Sequence, residues 1–155
     1  MKGLSLRQPW PWAIFDLPPE IRKDLENRTW EPPPKIIGKR ILIHVGKQWD
    51  EEDVHETAKE IIELVREHGY EPPRITLRML QADLGCIVGA VTVTGFVRRS
   101  DSPWFSGPVG WTLSDPVRCD PILCRGAQGL WRVPDDVAEQ IRNRAALGVV
   151  GGERG

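Results

Sequence analysis

The chain has 155 residues, 40% of them hydrophobic and 28% charged, with a formal net charge of -1; that is the length and balance of one globular domain with room for a core. No run approaches the roughly 18 apolar residues of a membrane span, and Met1-Lys2-Gly3-Leu4 opens without the apolar stretch of a secretory signal, so the expected location is the cytoplasm. Charge is uneven: residues 1–47 carry nine Lys/Arg against five acids and residues 48–84 carry four against ten, which leaves a mildly basic body able to draw phosphate-bearing partners.

The first strand signal is Leu4-Ser5-Leu6, and it runs straight into Arg7, Gln8, Pro9, Trp10, Pro11 and Trp12. Hydrogen-bonding groups and flat rings at adjacent positions fit either a core corner or the rim of a pocket for something planar. Further on, "RKDLENRTW" (22–30) predicts a turn followed by a strand that could bring Lys23, Glu26 and Arg28 together. On a surface, a lysine beside a glutamate is an ion pair of little energetic weight. In a concave site the two could share proton transfer, provided burial tunes them. Spacing alone leaves both open.

"KRILIHV" (39–45) predicts a strand. Asp50 then caps a helix running to His68, with acids in its first turn, an apolar stripe of Val54, Ala58, Ile61, Ile62 and Val65, and Gly69 as the stop. His55 and His68 read as surface residues on it. "RITLRMLQADL" (74–84) predicts a second, short helix, and "CIVGAVTVTGFV" (86–97) a long strand with bends or bulges at Gly89 and Gly95. Two more strands follow at 109–117 and 129–133, broken by Asp115-Pro116 and by Gly126, and then a helix after Pro134 along Val137, Ile141 and Ala145. The fold class is α+β: a small mixed β-barrel of five to six strands with flanking helices, one domain over 1–148 and a flexible tail at 149–155.

Cys86, Cys119 and Cys124 form an odd set without metal-ligand spacing and read as buried structural thiols, so neither a metal nor a cofactor is expected. Seven tryptophans cluster at segment ends. With the arginines at 7, 28, 98, 99 and 125 they suggest the aromatic and cationic surface that stacks unpaired bases.

Six stretches in order carry a family resemblance: "LSLRQPWPWAIF", "KDLENRTW", "GKRILIHVGK", "CIVGAVTVTGF", "WFSGPVGWTLSDPV" and "GAQGLWRVP". The chain resembles bacterial and phage ASCH-domain proteins (activating signal cointegrator homology), whose β-barrel is related to the PUA domain. The resemblance implies a PUA-like barrel with a pocket between barrel and helices, and binding of RNA or another nucleic acid; for this chain the expected partner is single-stranded or modified RNA. Some relatives are ribonucleases, and one branch deacylates acetylated cytidine with a lysine, a threonine and a glutamate.

Carried onto this sequence, the resemblance assigns Ser5, Arg7, Gln8 and Trp10 to the pocket, with Lys23, Glu26 and Arg28 beside them and Lys23 and Glu26 as the candidate catalytic groups. His44 and Lys47 close the next strand, and Trp104, Gly107 and Trp111 form a loop over the cleft. The expected geometry is one concave site holding Arg7, Gln8, Trp10, Lys23, Glu26 and Lys47, with Trp111 at its edge. Two departures stand out. Pro18-Pro19 must end the first helix early, and Glu26 occupies the position where the deacylating branch has its threonine. Three functions therefore remain: an RNA-binding module, a metal-independent ribonuclease or modified-nucleoside amidohydrolase using Lys23 and Glu26, and a small-ligand or protein-interaction domain.

Overall fold

The computed structural model describes residues 1–143; Ala145 and the tail expected at 149–155 lie outside the described residues. In chain order the elements are β1 (Lys2–Leu6), α1 (Trp10–Phe15), β2 (Leu25–Arg28), β3 (Lys39–Val45), α2 (Glu51–Glu67), α3 (Leu77–Ala82), β4 (Cys86–Val97), β5 (Val109–Leu123), β6 (Leu130–Arg132) and α4 (Asp135–Arg142). The six strands form one mixed sheet in the order β2-β5-β4-β3-β1-β6, curled into a half-barrel, so the α+β class with a barrel-like sheet holds. Only β1 and β3 pair in parallel, with Ser5 opposite His44; the other ladders are antiparallel. No helix among the described residues is long and apolar enough to cross a membrane.

β5 corrects the expected break at Asp115-Pro116, because the strand continues through it to Leu123. Proline cannot donate to a ladder, so a strand carries it only where pairing is interrupted. Between the pairs Ala90↔Val117 and Thr92↔Ser114, β5 has an extra residue, and between Ile87↔Ile122 and Gly89↔Arg118 it has more. Pro116 and Pro121 fall inside these bulges, which also sharpen the curl. Asp115 takes a left-handed φ of 50° there. The expected irregularities at Gly89 and Gly95 are present as register shifts. At Gly89 the space is decisive: a Cβ would lie 2.5 Å from the Val117 carbonyl oxygen and 2.6 Å from the Phe15 ring. The missing side chain lets α1 press its phenyl ring onto the sheet.

Against one face of the sheet, α1 contributes Ile14 and Phe15 to a core of Leu4, Leu6, Ile41, Ile43, Val45 and Trp111. Against another cluster of the sheet, around Leu42, Ile87 and Trp131, α4 packs Val137, Ala138 and Ile141. α2 is capped as expected, Asp50 Oδ1 accepting from the Asp53 N–H at 3.1 Å, and its stripe of Val54, Ile61 and Val65 meets Trp12, Leu17 and Trp104. His55 and His68 are exposed. Arg118 of β5 grips both oxygens of Asp16 at 2.7 Å and Asp83 at 3.3 Å, tying the end of α1 to the α3–β4 turn.

The seven tryptophans do not form one exposed surface. Trp12, Trp104, Trp111 and Trp131 are buried, Trp10 and Trp49 half-buried, and Trp30 is the exposed one at 37%. Trp12 and Trp104 pack against α2, and Trp111 and Trp131 against the strands, so these four rings bury apolar area in the core. Cys86 and Cys124 are buried thiols, pushed up in pKa by burial, and Cys119 is half-buried.

Candidate functional site

The candidate residues do not line one site: most divide between two cavities, His44 lies in a third that adjoins the second, and Gln8, Gly107 and Trp111 line none of the three. The first, of about 390 Å³, lies between α1, β2, α2 and the loop before β5, and is lined by Trp10, Lys23, Glu26, Thr57, Glu60 and Trp104 among others. Pro18 and Pro19 do end α1 early, and the chain turns through a single 3-10 turn at Pro19–Ile21. The Lys23 N–H then bonds back to the Ala13 carbonyl at 3.0 Å, so the diproline segment delivers Lys23 to the helix instead of displacing it. Its ammonium stands 5.5 Å from the centre of the Trp10 ring.

Lys23 and Glu26 are not a surface ion pair. The lysine side chain is 3% exposed; it donates to the Leu25 carbonyl and to Glu26 Oε1 at 2.8 Å. The other carboxylate oxygen faces Arg28 Nε at 3.3 Å, off the hydrogen-bond direction, so that N–H is left without an acceptor. Glu26 and Arg28 are two apart on β2 and share a face. One carboxylate is thus held between two cations, each reaching a different cavity.

Asn27, which no sequence motif singles out, organises the loop. Its amide donates to the Trp104 carbonyl at 2.9 Å, and its carbonyl oxygen accepts from the Ser106 and Gly107 N–H groups at 2.9 and 3.1 Å. Gly107, at φ +72°, therefore shapes the loop and lines neither cavity. Thr57 and Glu60 were also missed. Thr57 sits three residues after Val54 and four before Ile61, so it interrupts the apolar stripe with a hydroxyl; that polar residue on an apolar face was the available signal.

The second cavity is a groove of about 410 Å³ lined by Ser5, Arg7, Arg28, Trp30, Lys47 and Gln128 among others. It adjoins a cavity of about 590 Å³ that shares Ser5 and Lys47 and adds His44, Cys124 and Arg125. Arg7 also reaches Asp53 of α2 at 3.5 Å, both side chains exposed. Trp30 is held in place by the residue expected at the cleft edge. Trp111 is 0% exposed, donates its indole N–H to the Trp30 carbonyl at 2.8 Å, and meets the Trp30 ring edge-on at 4.8 Å. Its role is support from the core.

Gln8 is likewise corrected: it is buried, its amide donates to the Leu80 carbonyl at 2.9 Å, and it lines neither cavity because α3 covers it. His44 is buried at the floor of the larger cavity, with Nδ1 2.9 Å from Ser5 Oγ and Nε2 2.7 Å from the Cys124 carbonyl. Burial, with a smaller contribution from the Lys47 charge, lowers its pKa against the backbone contacts that raise it, which favours the neutral ring. Among the described residues, no three His, Cys, Asp or Glu side chains group as a metal ion would need.

No protein-family model matches the chain, and no curated protein matches it either.

Proposed function

We propose that the chain is a nucleic-acid-binding domain of the ASCH type, taking single-stranded RNA along the groove lined by Arg7, Arg28, Trp30 and Lys47. The observation that carries this reading is the convergence of those three cations, and of Arg125 next door, on a groove walled by the exposed indole of Trp30. None of the described residues lining the two adjoining cavities is acidic; the acids that face Arg7 and Arg28, Asp53 and Glu26, stand outside those linings. Cationic side chains neutralise successive phosphates, and an indole face stacks any base. Gln48 and Gln128 add amides that can meet base edges as donor and acceptor.

The test is fluorescence anisotropy with labelled single-stranded RNA and matching DNA over a salt series, with the products run on a gel with and without EDTA. Two to four phosphate contacts should give a slope of about -1.4 to -2.8 in log affinity against log salt. A flat salt response would assign the groove to a small ligand or a protein partner. Cleavage that survives EDTA would assign it to a metal-independent ribonuclease.

A second reading, hydrolysis of an amide on a modified nucleoside, draws on the first cavity. The threonine missing beside Lys23 in sequence has a counterpart in space, since α2 brings Thr57 into the cavity with Lys23, Glu26 and Glu60. Release of acyl groups from N-acylated nucleosides by the wild type, lost in Thr57→Val, would support it; no release at all would dismiss it.

A further inference from the structure

Neither phosphate binding nor the Lys23 cavity uses the hydrogen-bond chain through Ser5 and His44. In-register parallel pairing of β1 with β3 sets the two residues side by side. The Cys124 carbonyl can only accept, so at 2.7 Å from it His44 Nε2 carries the ring proton and Nδ1 presents its lone pair. Ser5 Oγ, 2.9 Å from Nδ1, therefore donates its proton to the ring, and it accepts in turn from the Trp131 indole N–H at 3.2 Å. The chain has one direction, from indole through hydroxyl and imidazole to the backbone carbonyl. A hydroxyl bonded to a base, and that base oriented by a third group, are the parts of an activated nucleophile.

The surroundings agree. Ser5 lines both the cationic groove and the larger cavity beside it. The neutral ring favoured by burial is the form that accepts a proton. Gly126 roofs the pair, and a Cβ there would lie 2.6 Å from Nδ1 and 2.7 Å from Oγ, so position 126 has to be bare for the pair to exist. Arg28 donates to the Ser5 backbone carbonyl at 3.4 Å and lines the same groove as Ser5, so a cation is available in that groove.

We propose that Ser5 is an acyl-accepting nucleophile with His44 as its general base, acting on carboxylic esters whose alcohol carries a phosphate. Ser5 Oγ bonds to the ester carbon as its proton passes to His44 Nδ1, and Arg28 partners the oxyanion. The carbon–alkoxy bond then breaks, Nδ1 returns the proton to the leaving alcohol, and acyl-Ser5 remains. Water adds to that acyl carbon, giving its proton to Nδ1; Oγ departs with the proton back, and a carboxylic acid is released. The phosphate-bearing alcohol rests on the groove reading above, whereas the pair itself does not.

The test is incubation of the full chain with a neutral alkyl fluorophosphonate, followed by intact mass and peptide mapping. The expected result is a single adduct, formed by Oγ–P bond formation and loss of fluoride, on the peptide containing Ser5. It should be absent in Ser5→Ala and form at least about 100-fold more slowly in His44→Gln, which keeps a donor for the Cys124 carbonyl but has no base. No adduct on folded wild type, an adduct elsewhere, or equal labelling in Ser5→Ala overturns the proposal without reference to any other variant. In a second arm, a 3′-O-acyl nucleoside monophosphate should turn over faster than p-nitrophenyl acetate. A labelled Ser5 without that preference, in a chain that binds no RNA, would overturn the substrate class and the groove reading while the pair stands.

Discussion

Lys23 and Lys47 are the same side chain in opposite circumstances. Lys23 is almost fully buried, bonded to a carbonyl and a carboxylate, with an indole on its flank. Lys47 is exposed on the lip shared by two cavities whose described lining residues include no acid. A buried ion pair contributes little net energy over an apolar replacement, yet breaking it is costly because a charge is left stranded. An exposed cation contributes almost nothing to the fold and keeps its charge for a partner. The first lysine is therefore bound up with the integrity of its cavity, the second with what the groove attracts.

The contrast breaks most visibly at Glu26, which neutralises Lys23 and Arg28 together. Glu26→Ala should lower unfolding free energy by about 3–5 kcal/mol in urea titrations, since two cations lose their shared partner. Lys23→Ala should cost less, because Arg28 still faces the carboxylate. A loss below about 1 kcal/mol for Glu26→Ala would show that water solvates this cavity and that the two lysines are alike.

Removal of the Trp30 ring should leave the melting curve close to wild type and weaken RNA by about 1–3 kcal/mol, the range for one stacked base. Anisotropy titration checks it, and unchanged affinity would remove the groove's exposed indole from the RNA reading. Lys47→Ala should change stability by no more than about 0.5 kcal/mol, while the salt slope becomes shallower by about 0.7 for the one phosphate lost.

The smallest effect is a pH dependence. Burial, opposed by contacts with the Cys124 and Gly85 backbone and assisted by Lys47, holds His44 below its ordinary value of 6.5. The unfolded chain then takes up a proton at higher pH than the folded one. The stabilisation is complete above 6.5 and is lost as pH falls from there through the folded value. Denaturant midpoints measured from neutral to mildly acidic pH should fall accordingly, and less so in Lys47→Ala, whose missing charge lets His44 titrate nearer its ordinary value.

Much of the fold was legible where one physical signal dominated. The acidic helix carries its cap, its stripe and its stop in consecutive residues, and α2 formed with Asp50 and Gly69 at its ends. β3 and β4 match the expected 39–45 and 86–97 because unbroken β-branched runs leave few alternatives. The sequence points to a break in β5 because Asp-Pro is a turn signal locally, whereas bulges against β4 absorb the prolines. That compensation belongs to two strands far apart in sequence.

The candidate site was legible in membership but not in grouping. Local order determined that Lys23, Glu26 and Arg28 lie together, since a turn and one short strand carry all three. It also determined which residues bear charge and which rings need burial. Only the tertiary structure decided that Glu26 stands between two cavities, that Gln8 serves α3, that Trp111 supports Trp30 from the core, and that Thr57 enters beside Lys23. Each of these depends on the direction a side chain takes once distant elements pack, and on a curled sheet having two places for a cation to go: inward to a carboxylate, or outward to water.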